Sequence, residues 1–264
     1  MIYDCFNFLN EAHILEIRIE ELKSVVDKFV ICESDITVSN VIKPFFLEQS
    51  EIYNKYKDRI IYHKLEIGQQ ILSSQFNDHN NEYRHTLMYN QRDAIMKSLS
   101  NCNDEDIIMF SDLDEIPTAK AVKELNNLPC ILNLKGFYWY LNTPIFSPGN
   151  HYWFPSVICD FYKNIKNKSF NELRESKYSF RQIPEAGWHF SHLGDENQIA
   201  YKMLASSHSE YHAPHYTDPI NIKRRRESLI DPYDRGGFII NKDESIVLPE
   251  YVLNNRQKFN YLLK

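Results

Sequence analysis

Glycine is scarce in this chain, at seven of 264 residues. No Pro/Gly/Ser stretch is long enough to divide the sequence into independent domains. Repeats and low-complexity segments are absent as well. The five cysteines (Cys5, Cys32, Cys102, Cys130 and Cys159) are scattered, with no C-x-x-C pair. That count and spacing disfavour both a disulfide framework and a zinc site, and Cys32, inside an apolar run, reads as a core residue. No run of 18 apolar residues occurs, and the N-terminus lacks a basic region leading into an apolar stretch. No transmembrane segment or signal peptide is therefore expected, and the expected location is cytoplasmic. Positive charge is also in deficit: the net charge of -6 argues against a nucleic-acid binder held by bulk electrostatics. The basic run Lys223 to Arg226 is a local exception, readable as a solvated helix face or as a phosphate contact.

Aromatic residues, by contrast, are abundant, with 17 Tyr and 16 Phe. They either fill a large core or line sugar- and base-stacking surfaces, and composition does not separate the two uses. The first half alternates strand and helix signals: strands at Met1 to Phe8, Lys28 to Cys32, Ile60 to Leu65 and from Ile107, with helical patterns at Glu11 to Val26, 51–59 and 83–99. In the first helix Leu15, Ile19, Leu22 and Val26 form an amphipathic stripe. This order predicts an α/β fold with a Rossmann-like, mainly parallel central sheet flanked by helices. The second half is less regular. Phe137 to Tyr140 and His151 to Phe154 are aromatic clusters separated by Pro144, Pro148 and Gly149, which suggests extended segments around a long loop. Helices are expected at 196–208, 219–230 and 250–263.

The segment Asp106 to Pro117 carries the clearest chemistry. Ile107 to Phe110 reads as a strand buried on both faces, and Asp112, Asp114 and Glu115 follow at its C-terminal end. Ligands of open α/β sheets bind outside the carboxyl ends of the strands. An Asp-x-Asp there is placed to hold a hard divalent cation, Mn²⁺ or Mg²⁺, which in turn holds phosphates; the alternative is a solvated acidic turn. Pro117 is expected to stop strand pairing and open a helix, with Glu115 binding sugar or capping that helix. Glu33 and Ser34 end an earlier strand, either reaching a nucleotide or capping a helix. His208, His212 and His215 superficially resemble a zinc set, but Pro214 interrupts the helix that their spacing needs.

Four segments in order resemble glycosyltransferase family 17: Val25 to Ser34, Asp106 to Pro117, Ala186-Gly187-Trp188-His189-Phe190-Ser191, and Pro249 to Leu263. Together they span nearly the whole chain. The resemblance implies a single GT-A-like domain over 1–264, with a nucleotide-sugar-binding half at 1–117 and an acceptor-side half at 118–264. It implies a metal-dependent, inverting transfer from a UDP-sugar, with UDP-GlcNAc suggested, to a glycan hydroxyl. Asp114 is then the direct metal ligand. Asp112 lies nearer the ribose or a metal-bound water, and His189 completes the metal shell or is a structural histidine, with His192 a weaker competitor. Trp188 stacks on the acceptor or packs in the core. Arg92, in a segment resembling the family, and Arg225, on a C-terminal loop, are expected on the donor's diphosphate. The general base is expected among Glu196, Glu185 and Asp195, with Glu196 first because the family carries a Glu just after the Gly-Trp-His motif. A metal-dependent phosphatase or nucleotidyltransferase, or a non-catalytic carbohydrate-binding protein, are the alternatives. The oligomeric state is open.

Overall fold

Strands β1 (Ile2–Asn7), β2 (Lys28–Ser34), β3 (Ile60–Leu65) and β4 (Ile107–Phe110) form where the short apolar segments predict them. The computed structural model describes residues 1–68, 82–147 and 150–264, so the loop residues Pro148 and Gly149 lie outside the described residues. The remaining strands are β5 (Glu115–Pro117), β6 (Cys130–Tyr138), β7 (Ile145–Phe146), β8 (Trp153–Phe161), β9 (Arg181–Ser191) and β10 (Ile239–Ile240). Eight of them make one sheet in the order β3-β2-β1-β4-β8-β6-β9-β5, while β7 and β10 pair separately. Pairings through β3-β2-β1-β4 are parallel, as is β6-β9, and β8 and β5 join antiparallel.

Helices cover both faces, as parallel strands buried on two sides require. α1 (Ala12–Leu22), α2 (Glu51–Tyr56), α3 (Glu82–Ala94) and α4 (Ala119–Lys123) lie in the first half of the chain. α5 (Tyr162–Ile165), α6 (Phe170–Glu175), α7 (Glu196–Ala205), α8 (Pro214–Thr217), α9 (Pro219–Glu227) and α10 (Glu250–Asn254) follow. Strand alternation sorts the core into two layers. Phe29, Ile31 and Met109 pack with α1 residues on one face; Val30, Ile108 and Phe110 pack with Ile95, Leu99 and Phe170 on the other. The aromatic clusters are the end of β6 and the start of β8, so they are extended as expected. Pro117 ends strand pairing as expected but does not open the helix. It pairs with Gly187 as the last residue of β5, and Thr118 instead caps α4 by accepting the Ala121 N–H. A proline is tolerated there because β5 is the edge strand of the sheet.

One buried cation ties the first helix to the acidic turn. Arg18 sits on the apolar stripe of α1 and is fully buried, as is Asp4 of β1. Its Nε and Nη2 donate to the two Asp4 oxygens at 2.8 and 2.6 Å, and Nη2 also donates to Ser111 Oγ at 2.7 Å. Nη1 donates to the carbonyls of Asp112, Leu113 and Glu115 at 2.7, 3.0 and 3.1 Å. Removing one partner of a buried ion pair strands the other charge, at a cost of about 3–5 kcal/mol. We expect Arg18→Leu to lose about that much stability in urea denaturation. A loss below about 1 kcal/mol, the scale of an exposed pair, would contradict the clamp.

Candidate active site

The turn Ser111 to Asp114 leaves β4 in the middle of the sheet and enters β5 at its edge. Its backbone is held from below by Arg18 and from the side by β9, whose Phe190 N–H donates to the Asp114 carbonyl at 2.8 Å. The Gly187-Trp188-His189 motif is what lets β9 approach so closely. A Cβ on Gly187 would overlap the Ile116 carbonyl oxygen and come to 2.7 Å from Pro117 Cα. Alternation then sends the next two side chains to opposite faces. Trp188 is buried, and its indole donates to the Val247 carbonyl at 2.7 Å. His189 pairs in register with Glu115 and brings Nε2 to 3.7 Å from Asp114 Oδ1.

Asp112, Asp114 and His189 face a cleft of about 290 Å³ that also includes Asn7, Glu11, Ser34, Thr37, Gln91 and Lys202. Its floor is the carboxyl ends of β1, β2 and β4, where ligands of such sheets bind. The acidic groups do not stand alone there. Asp112 accepts Arg92 Nη2 at 3.0 Å on each oxygen, and Arg174 Nη2 at 3.2 Å. Burial works to raise the Asp112 carboxyl, but the Arg174 and Arg92 guanidiniums more than offset it and hold it well below the usual carboxylate range. Glu115 neither caps a helix nor points into the cleft. It accepts the Asp112 N–H at 2.7 Å and Arg174 Nη1 at 3.0 Å. Asp114 accepts the Lys202 ammonium at 2.6 Å, and the same ammonium lies 2.6 Å from Glu11. Burial opposes ionisation of Asp114, and Lys202 outweighs it, so that carboxyl too lies below its ordinary value.

The donor set does not fit a divalent ion as the acidic motif predicts. Asp112 is turned to two guanidiniums, and one oxygen of Asp114 is taken by an ammonium. Of the expected ligands among the described residues, Asp114 Oδ1 and His189 Nε2 remain close to one another, and Nε2 also meets Ser191 Oγ at 3.0 Å. Among the described residues no three of His, Cys, Asp and Glu gather closely enough to hold a metal ion.

The model of glycosyltransferase family 17 matches residues 1–264. The chain belongs to that family. The match is to a family of glycosyltransferases and favours that reading over the phosphatase and carbohydrate-binding ones. A rat relative, "Beta-1,4-mannosyl-glycoprotein 4-beta-N-acetylglucosaminyltransferase", is 22% identical over 313 residues, covering 100% of this chain and 54% of the relative. The chain thus spans about half the length of the curated relatives it matches. Among solved structures, glucosyl-3-phosphoglycerate synthase from Mycobacterium tuberculosis with Mn²⁺, UDP and phosphoglyceric acid has 17% identity over 52% of this chain and 43% of its own, with a TM-score of 0.27. The galactosyltransferase LgtC with donor and acceptor sugar analogues has 12% identity over 99% of this chain and 94% of its own, with a TM-score of 0.35.

Several residues expected at the site of this family member are engaged elsewhere. Glu33 is fully buried and saturated by Lys43 Nζ, Tyr62 Oη and the N–H groups of Phe46 and Leu47, so it organises the loop after β2. Ser34 does line the cleft, accepting the Ile36 N–H. Arg225 is buried on helix α9, not on a loop, and grips Asp234 at 2.6 and 2.7 Å. Asp195 is the N-cap of α7 in a reciprocal box with Gln198. Glu196 pairs with Arg226 at 3.2 Å. Glu185 lines a separate depression that includes Trp188, whose side chain points away from the His189 face. None of the three expected bases is among the described residues lining the cleft. The zinc-like spacing also dissolves, with His208 on Glu210 and His215 on Asp234. Sequence reading missed Glu11, Arg174 and Lys202; only their partners reveal them.

His192, also weighed as a ligand, is buried and bonds Tyr233 Oη at 2.7 Å. Burial first, and the Lys202 ammonium second, push its pKa down to about 3. In the unfolded chain an imidazole titrates near ~6.5. Protons therefore favour the unfolded state below that pH, so this contribution to stability is full above ~6.5 and is lost as pH falls toward the folded value. Between pH ~7 and ~5 the loss amounts to about 2 kcal/mol. His192→Asn, compatible with the positive φ at this position, should flatten the urea-measured pH profile by that amount. An unchanged slope would place the acid sensitivity elsewhere.

Proposed function

We propose that this glycosyltransferase moves a sugar from a nucleotide-sugar to a glycan hydroxyl in the cleft around Asp112 and Asp114. The observation that carries the reading is the convergence of the acidic turn, Arg92, Arg174 and Lys202 at the carboxyl ends of the parallel strands. Arg92 and Arg174 already meet one anion, the Asp112 carboxylate, and guanidiniums suit phosphate as well. In this reading residues 1–117 supply most of the nucleotide-sugar site, and residues 118–264 receive the acceptor while lending Arg174 and Lys202 to the diphosphate. GlcNAc from UDP-GlcNAc is the proposed donor, supported by the name of the rat relative.

Inversion is proposed to proceed by direct displacement. The acceptor oxygen bonds to the anomeric carbon as the bond to the diphosphate breaks, UDP leaves with the electron pair, and a carboxylate takes the hydroxyl proton. Asp195 is spent on capping, and Glu185 faces another depression. Glu196 opens the same helix that carries Lys202 and stays first among the three; acting as base requires its Arg226 pair to open. The residues around Asp114 do not fit a divalent ion, so the reading stands on the side chains alone.

A panel of UDP-GlcNAc, UDP-glucose, UDP-galactose and GDP-mannose, read by diphosphate release, tests it. UDP-GlcNAc should exceed the others by about tenfold or more, the scale of discrimination that one substituent supports. Failure of every nucleotide-sugar to bind or release diphosphate would overturn the donor reading. In the same assay, Glu196→Gln should spare donor binding and lower transfer by about 10²-fold or more. Unchanged transfer removes Glu196 from the reaction.

A further inference from the structure

Lys202 projects from α7 between two carboxylates, 2.6 Å from Asp114 Oδ2 and 2.6 Å from Glu11 Oε1. Glu11 is at the N-cap of α1 yet makes no capping hydrogen bond. That position is normally filled by a short polar residue that caps the helix. Its side chain is diverted to the ammonium instead, a local rule broken at a site, as happens where function competes with helix stability. Burial works against the charged ammonium, and the two carboxylates outweigh it and raise its pKa, so Lys202 stays cationic. An ammonium has three N–H donors. Among the described residues two meet Asp114 and Glu11, which leaves the third for a ligand in the cleft that Lys202 lines. A divalent ion on Asp114 would stand beside this fixed positive charge, whereas a diphosphate would be attracted to it.

We propose that Lys202 is the built-in cation of this cleft, donating to the diphosphate of the nucleotide-sugar from the place beside Asp114 where a divalent ion was expected, so that donor binding needs no metal. The inference rests on the nucleotide-sugar reading above. Lys202 thereby takes the electrostatic role of neutralising the leaving group.

The test is calorimetric titration of UDP into the full chain, first in EDTA and then in Mn²⁺. Wild type should bind UDP in EDTA, with a Kd that Mn²⁺ shifts by less than about threefold. Lys202→Met should weaken binding in EDTA by about tenfold or more and regain part of it in Mn²⁺, since Asp114 and Glu11 are then released to a metal. Lys202→Arg should keep metal-free binding. If Lys202→Met does not fold, the double variant Glu11→Gln with Lys202→Met removes one charge of each sign and gives the same reading. Wild-type binding that vanishes in EDTA and returns with Mn²⁺ would overturn the role of Lys202 while leaving the donor reading standing. Metal-free binding equally tight in Lys202→Met would do the same. No UDP binding under either condition would overturn both.

Discussion

The guanidinium of Arg18 is the fixed point around which the cleft is built. A buried charge is destabilising unless it is paired and its remaining donors are satisfied. Arg18 meets that condition with Asp4, Ser111 and three carbonyls of the turn, and its face lies 4.3 Å over the Phe6 ring. Each partner comes from a different place: α1 supplies the cation, β1 the anion, and the 111–115 turn the carbonyls. The backbone of the turn is therefore pulled toward the core. Its acidic side chains are left to the cleft side, where Asp112 and Asp114 line the opening.

β9 constrains the same turn from the other flank. β5 can lie against β9 only because Gly187 offers no Cβ, and the register then pairs His189 with Glu115 and Trp188 with Ile116. Trp188 anchors the strand to the Val247 carbonyl, while His189 reaches Asp114. The Gly-Trp-His motif is thus one geometric unit. The glycine permits the approach, the tryptophan fixes the depth, and the histidine is delivered to the site by the period of two along a strand.

How much of this was legible depends on whether a residue's role is local. The four parallel strands and α1 were readable because their apolar periodicity is a property of each segment. Arg18 was readable in principle: it falls three residues after Leu15 and four before Leu22, on the buried stripe, where a charged residue demands a partner. Glu33 misled because a carboxylate at a strand end looks alike whether a ligand or a returning loop satisfies it. Here Phe46 and Leu47 return to it. Pro117 misled because helix starts and edge-strand ends tolerate proline for the same reason, a missing N–H that nothing requires. Lys202 and Arg174 gave no signal, since a cation on an amphipathic helix reads as part of its solvated face until its partner is known.

The charges of the cleft follow from where their helices dock. Arg92 comes from α3, Arg174 from α6 and Lys202 from α7, and all three converge on one turn. Glu11, Asp112, Asp114 and Glu115 face these three cations, so the cluster is close to neutral rather than strongly acidic. That balance changes what the Asp-x-Asp motif means physically. In an uncompensated pair of buried carboxylates the like charges repel, and a metal ion or a shared proton relieves the repulsion. Carboxylates already met by guanidiniums and an ammonium hold those cations in place until another anion competes for them. Asp112, with 37% of its side chain exposed against 10% for Asp114, is the more open to such exchange. An incoming phosphate would trade with Asp112 for the same two guanidiniums, at little cost in lost charge pairing.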